Sequence, residues 1–154
     1  MYRVARSRWK PLKNLIIREV INRYGVNLFE AEITDPGKYV SFNDFFTRAL
    51  KTDARPVSDA PDDIACPADG TVSQAGTISG GRLIQAKGHD YRLIDLLSGN
   101  SALAEEFVEG NFATIYLSPK DYHRVHMPVT GVLREMYFVP GQLFSVSDAT
   151  TQLV

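Results

Sequence analysis

A chain of 154 residues with 44% hydrophobic, 23% charged and 10% aromatic side chains has the size and composition of an ordinary globular domain, which excludes a disordered, collagen-like or disulfide-scaffold chain. No apolar run approaches the roughly 18 residues that cross a bilayer as a helix, and the single cysteine, Cys66, cannot pair within the chain, so a reducing compartment is the simpler reading. The net charge of −1 hides a split, because the first 24 residues carry +6 and the other 130 carry −7. A partner feels charge where it lies, so the front is a basic end on an acidic body. Its basic residues are interleaved with Val4, Trp9 and Leu12, and no long apolar core follows them, so no secretory signal is expected there.

From Pro11 to Tyr24, Leu12, Leu15, Ile16, Ile17, Val20 and Ile21 recur at helical spacing and Gly25 follows as a stop, which predicts an amphipathic helix with Pro11 in its first turn. Ser41 is placed to cap a second helix running to Leu50, and Asp44 three residues on resembles a capping box with Asp in place of Glu. Residues 51–63 read KTDARPVSDAPDD, a surface connection rich in Pro and Asp, and the main boundary is expected there. The predicted organisation is a helical, basic front over residues 1–50, a linker over 51–63 and a β-rich part over 64–154.

Beyond the linker the period changes. Thr71 to Thr77 and Arg82 to Ala86 read as strands of one hairpin, joined through Ser79-Gly80-Gly81. Arg92 to Leu97 and Ala102 to Val108 read as two short helices broken by Ser98-Gly99-Asn100. A strand is expected over Phe112 to Leu117 and another over Val132 to Val139, before Pro140-Gly141. The class is therefore α+β, with N-terminal helices ahead of a β-rich domain.

Two segments concentrate chemistry. Pro67-Ala68-Asp69-Gly70 is a turn by composition, and it also sets a carboxylate at a turn tip. Cys66 beside it reads as a small packing residue rather than a nucleophile. Ser118 to Pro128 packs Asp121, Tyr122, His123, Arg124 and His126 into six residues at a loop-to-strand junction, where scaffolds often place functional groups. If residues 124–127 are extended, His123 and His126 point to opposite faces. Two structural histidines, one histidine that serves a site while the other packs or positions it, and a metal site all remain open, although zinc needs three or four ligands and few are at hand. Lys87-Gly88-His89 is a turn with one histidine. No P-loop, Rossmann glycine pattern, CxxC pair or GxSxG elbow occurs, and nucleic acid is not an expected partner because the basic end matches no binding module.

Taken in order, Phe42-Asn43-Asp44-Phe45-Phe46-Thr47-Arg48, Pro67-Ala68-Asp69-Gly70, Gln85-Ala86-Lys87-Gly88-His89, the run from Tyr116 through Tyr122-His123-Arg124-Val125-His126-Met127-Pro128, and Pro140-Gly141-Gln142-Leu143-Phe144-Ser145-Val146 resemble the phosphatidylserine decarboxylase proenzyme family of the bacterial membrane-associated type. The resemblance implies a barrel-like β-sandwich, incomplete in this chain, and a pyruvoyl-dependent lyase that releases CO₂ from phosphatidylserine to give phosphatidylethanolamine. In that family the proenzyme cuts itself at a Gly-Ser bond through an Asp, His and Ser arrangement, and the serine becomes the pyruvoyl group of a small subunit. Carried onto matching positions, Asp69 is the acidic member, His126 the base and His123 the proton donor in decarboxylation. Tyr116 and Phe144 are implied in the substrate pocket. Arg6, Arg8, Trp9, Lys10 and Lys13 are the expected contacts to an anionic phospholipid surface at the cytoplasmic face of the membrane. The implied partners are that surface, the pyruvoyl-bearing C-terminal small subunit and a second copy in a homodimer.

None of the eleven glycines is followed by serine, so the pyruvoyl source is expected on a serine downstream of this sequence, and residues 1–154 alone are expected neither to self-process nor to decarboxylate. Two alternatives from other classes are a non-catalytic membrane-binding module built on the basic helix, and a serine hydrolase using Asp69, His126 and Ser118 or Ser145.

Overall fold

The computed structural model describes residues 2–138 except 59, 61 and 86–88. Among the described residues three helices precede three strands, and two short helices and a fourth strand follow: α1 (Tyr2–Ala5), α2 (Lys10–Tyr24), α3 (Phe42–Phe46), β1 (Thr71–Thr77), β2 (Arg82–Gln85), β3 (His89–Arg92), α4 (Leu93–Leu96), α5 (Ser101–Glu105) and β4 (Asn111–Tyr116). The fold is α+β. Among the described residues the strands form two two-stranded ladders, β1 with β4 and β2 with β3, rather than a closed barrel. No helix among them is long and apolar enough to cross a membrane.

The chain divides into two compact units, one of Met1–Thr71 with Ile115–Gly131, the other built on Val72–Thr114. The segment after β4 thus belongs to the same unit as the N-terminal helices. Side chains from the end of α3 hold it there: Arg48 Nη2 donates to the carbonyls of Lys120 (2.7 Å) and Asp121 (3.3 Å).

In the first unit α2 begins at Lys10 with Pro11 in its first turn and ends at Gly25, whose φ of 67° places it in the left-handed region and whose N–H donates to Ile21 O. Glycine adopts that conformation without the Cβ penalty. Ile17, Val26, Tyr39 and Phe45 form the core, with Val20, Ile21, Leu28 and Phe42 packed around them, and the Tyr39 ring meets the Phe45 ring edge-on at 5.5 Å. Ser41 caps α3 by accepting from Asp44 N–H (3.1 Å), while Asp44 Oδ2 accepts from Val40 N–H (2.9 Å), one residue earlier than a standard capping box returns. The helix stops at Phe46 instead of Leu50. Thr47 gives its carbonyl to Arg124 Nε (2.8 Å), and Ala49 O accepts from Glu32 N–H (3.0 Å) as Ala31 bridges Leu50, so the backbone groups that would extend the helix are taken by other segments.

The second unit corrects the expected hairpin. Ser79 and Arg82 do exchange both N–H···O bonds at 3.1 Å, so the Gly80-Gly81 turn exists, but it is a corner between two ladders. Thr77 Oγ1 meets Asn111 (3.4 Å) and Ser73 Oγ donates to Thr114 O (3.3 Å), pairing Thr71–Thr77 with β4. Arg82–Gln85 instead pairs antiparallel with His89–Arg92, from Arg82 opposite Arg92 to Gln85 opposite His89. Ile78, Leu83, Leu93 and Ala104 form the core of this unit, with Ile94, Leu97 and Phe112 packed on it. The expected strand at 132–139 is absent over 132–138, and Val132, Leu133, Met136 and Phe138 are all exposed. A strand needs a neighbour for its backbone groups, and no ladder partner for these residues occurs among the described residues. Val139 and the 140–146 motif lie outside the described residues.

Candidate active site

The Pro67–Gly70 turn and the His123–His126 segment come together in the first unit through the main chain. His126 N–H donates to Pro67 O (2.8 Å), and two residues either side Ala65 N–H donates to Pro128 O (2.9 Å). These two bonds set the carboxylate-bearing turn beside the histidine-bearing segment. Gly70 lets the turn lie against the end of β4, since a Cβ there would overlap the Tyr116 carbonyl oxygen and sit 2.9 Å from Ile115 Cγ2. Beside the turn opens a cleft of about 660 Å³ lined by Asp69, Gly70, Tyr116, Ser118, Lys120 and Asp121.

Asp69 and His126 each hold a different partner. Both contacts from Arg55 fall on Asp69 Oδ2, from Nε at 2.8 Å and Nη2 at 2.6 Å, and Nη2 also reaches Glu30 Oε2 at 2.9 Å. The two carboxylates hold the Arg55 guanidinium above its ordinary range. His126, exposed, shares a 2.8 Å hydrogen bond between Nε2 and the hydroxyl of buried Tyr122, with the two rings stacked at 5.4 Å.

His123 is set differently. Its ring stacks on Phe46 with centroids 3.9 Å apart and planes 21° from parallel. Its Nε2 lies 3.1 Å from Ser118 O; a carbonyl only accepts, so this nitrogen carries the hydrogen and Nδ1 is left to take up a proton. Burial pushes the imidazole below the usual histidine range, the nearby Arg48 charge acts in the same direction, and the bond to Ser118 and the charge of Asp121 oppose them. Asp121 Oδ2 accepts from Ser118 N–H (2.6 Å), which closes the loop between the two residues that flank the cleft. Ser118, the described nucleophile of the hydrolase alternative, thus engages Asp121 and His123 through its main chain. Among the described residues no group of three or more His, Cys, Asp and Glu converges as a metal site would require. Cys66 is exposed and its thiol donates to Ala68 O (3.1 Å).

Of the other expected residues, Tyr116 lines the cleft. Phe144 and Ser145 lie outside the described residues. Arg6, Arg8, Trp9 and Lys10 are exposed, with the Arg6 guanidinium 4.5 Å over the ring of Tyr2. Lys13 departs from that set: it is 4% exposed, and its ammonium donates to Asn14 Oδ1 (2.7 Å) and Gly37 O (3.1 Å). A buried ammonium needs acceptors, and these tie α2 to the 3₁₀ turn at Pro36–Lys38 rather than facing a surface. Sequence reasoning missed Arg55, and it named Tyr122 and Phe46 without their pairings to His126 and His123. Arg55 stands inside the segment read as a linker, and its partners lie 14 and 25 residues away, a separation that no local pattern discloses.

Across residues 42–154 the sequence matches the phosphatidylserine decarboxylase family, and a second match, described as PSD, covers residues 1–25. On that match the chain belongs to the phosphatidylserine decarboxylase family. Among its relatives, the phosphatidylserine decarboxylase proenzyme of Bordetella pertussis (strain Tohama I) is 56% identical over 154 residues, all of this chain and 52% of the relative. The proenzyme of Alcanivorax borkumensis is 57% identical over 148 residues, 96% of this chain and 51% of the relative. That of Pseudomonas putida (strain W619) is 56% identical over 150 residues, 97% and 52% respectively. The chain spans about half the length of the curated relatives it matches.

Proposed function

We propose that this chain supplies the aspartate- and histidine-bearing part of an enzyme that decarboxylates phosphatidylserine to phosphatidylethanolamine and CO₂ after cutting itself at a serine. The observation that carries the reading is the pairing of the Pro67–Gly70 turn with the His126 segment, which brings together two motifs 56 residues apart. In the proposed self-cleavage His126 takes the serine proton, and Asp69 is the carboxylate that steadies the resulting imidazolium. Arg55 occupies Asp69 Oδ2, which fixes the carboxylate's orientation and leaves Oδ1 outside the pair.

A pyruvoyl group, when present, supplies a ketone that forms a bond to the substrate amine and accepts the electrons freed as CO₂ departs. The cleft suits such a group: it has room for a keto-acyl group and a phospholipid head, and its lining includes Tyr116 and Lys120, residue types that can donate to carbonyl, carboxylate and phosphate oxygens. His123 is the residue proposed to return a proton to the carbon that loses CO₂. Its Nδ1 is the free position, and an imidazole held below its ordinary pKa is, once protonated, a stronger acid than free histidine.

The exposed Trp9, with Arg6, Arg8 and Lys10 around it, supports a peripheral site on an anionic lipid surface at the cytoplasmic face, where each basic residue contributes about 1 kcal/mol. The C-terminal small subunit and a second copy of the chain complete the proposed partners.

The test uses the complete reading frame. Asp69→Ala and His126→Ala are expected to block self-cleavage, and His123→Ala to leave cleavage intact while abolishing release of labelled CO₂ from phosphatidylserine vesicles. Cleavage that survives both Asp69→Ala and His126→Ala would remove the proposed assignment.

A further inference from the structure

We propose that Arg48 is a positioning residue for His123, and that Phe46-Thr47-Arg48 at the end of α3 is the mount on which the histidine loop is fixed. The inference rests on the reading of His123 given above and assigns a role to residues which that reading does not use. Three consecutive residues all engage the 118–124 segment. Phe46 stacks on the His123 ring at 3.9 Å, Thr47 O accepts from Arg124 Nε at 2.8 Å, and Arg48 Nη2 donates to Lys120 O and Asp121 O. The carbonyls held by Arg48 belong to the two residues just before Tyr122 and His123, so displacing them moves both rings.

The cost of Arg48 shows that filling space is not its purpose. Its side chain is 4% exposed, and both carbonyl acceptors lie on one nitrogen, while Nε and Nη1 are buried without a hydrogen-bond partner. A guanidinium in that state carries a large desolvation penalty that a methionine or leucine of similar volume would avoid. Burial lowers its pKa, and electrostatic interaction with Tyr39, Asp121, Asp69 and Glu30 raises it in return. The Phe45 ring lies 5.7 Å from the guanidinium carbon, so the core of the first unit is the floor beneath it. What a guanidinium alone provides here is the reach to hold two successive carbonyls, together with a fixed positive charge near His123. The charged groups acting on that imidazole are Arg48 and Asp121, of opposite sign.

The experiment follows the imidazole C–H signals of His123 by NMR in the 154-residue chain, assigned with His123→Gln, as pH is lowered from neutral. In the parent, the signal is expected to be shifted upfield by the Phe46 ring and to titrate below 6.5. Arg48→Met is expected to lose the upfield shift and raise the midpoint. Arg48→Lys, which keeps the charge but not the two-carbonyl grip, should lose part of the ring shift with a smaller rise. Phe46→Leu should abolish the ring shift. His123 signals that coincide with the parent in Arg48→Met, with helical circular dichroism retained, would overturn the proposal. If Arg48→Met does not fold, unchanged His123 signals in Arg48→Lys would overturn it equally.

In the complete reading frame Arg48→Lys should lower kcat for decarboxylation about tenfold or more with KM within about twofold, the pattern of a displaced reacting group. If His123→Gln itself leaves decarboxylation intact, the proposed role of His123 falls, whereas the NMR result still decides whether Arg48 positions the ring.

Discussion

The two compact units solve the same problem with different materials. The second is held by aliphatic side chains, Ile78, Leu83, Leu93 and Ala104, beneath two-stranded ladders and short helices. The first packs aromatic rings and buries Lys13, Ser41 and Arg48, and among the described residues all of the buried polar or charged side chains fall in it. Aliphatic burial is non-directional and suffices to hold a ladder. Fixing a loop that carries two histidines requires bonds with defined geometry, and buried polar networks supply that while raising the penalty for any error. The residues proposed to act in catalysis belong to the unit that accepts this penalty.

The most forceful way to break the comparison is to remove the ring at the centre of the first unit. Phe45 is fully buried and contacts Tyr39, Phe42 and the Arg48 guanidinium. Phe45→Ala should cost about 3–5 kcal/mol, against about 2–3 kcal/mol for Leu93→Ala in the smaller aliphatic core. Denaturant unfolding followed by far-ultraviolet circular dichroism measures both. A larger loss for Leu93→Ala would reverse the ranking of the units.

Next in size is Gly70→Ala. The new methyl would meet the Tyr116 carbonyl and the Ile115 side chain, and backbone cannot swing aside as a flexible side chain can. Forcing it in should cost about 1–3 kcal/mol, read as a lowered unfolding midpoint, and should shift the NMR signals of Asp69 and His126 together. A neutral outcome would mean that the turn does not press on the strand end.

How much of this was legible in the sequence depends on the range of the forces involved. The helix from Lys10 to Tyr24 and its Gly25 stop follow from period and cap chemistry, both local, and the Ser41 cap was equally readable. The premature end of α3 was not, because its cause is Arg124, 77 residues from Thr47. The corner at Gly80-Gly81 has the composition of a hairpin turn, yet strand pairing is decided by which apolar faces meet, and these came from β3 and β4. Of the site, the motif order made the family visible and picked out Asp69, His123 and His126 as residues. Their present partners, Arg55, Phe46 and Tyr122, are tertiary choices. Lys13 reads as a surface cation in a one-dimensional pattern and becomes a buried donor only once Gly37 folds over it.

A smaller effect sharpens the same contrast at the helix cap. Ser41 is buried and accepts from Asp44 N–H, so Ser41→Ala should cost about 1 kcal/mol. Ser41→Asn, which keeps an acceptor, should recover part of it. The accompanying loss of the Phe46 ring shift at His123 would show that the cap stabilises the mount as well as the helix.

The smallest expected effect is a pH dependence confined to the first unit. Burial holds His123 below its ordinary 6.5 in the folded state, whereas in the unfolded chain it titrates near that value. Above it neither state binds the proton and the stability is complete. As pH falls through 6.5 the unfolded state is protonated first, so stability declines until the folded pKa is passed, and this group contributes nothing further below that. Because the ring is half-buried, solvent screens much of the effect. The difference between the parent and His123→Gln in unfolding midpoint isolates it from the other titrating groups. That difference should move against the parent as the solution is acidified from neutral, and a difference that moves toward the parent would mean that the folded loop favours the charged imidazole.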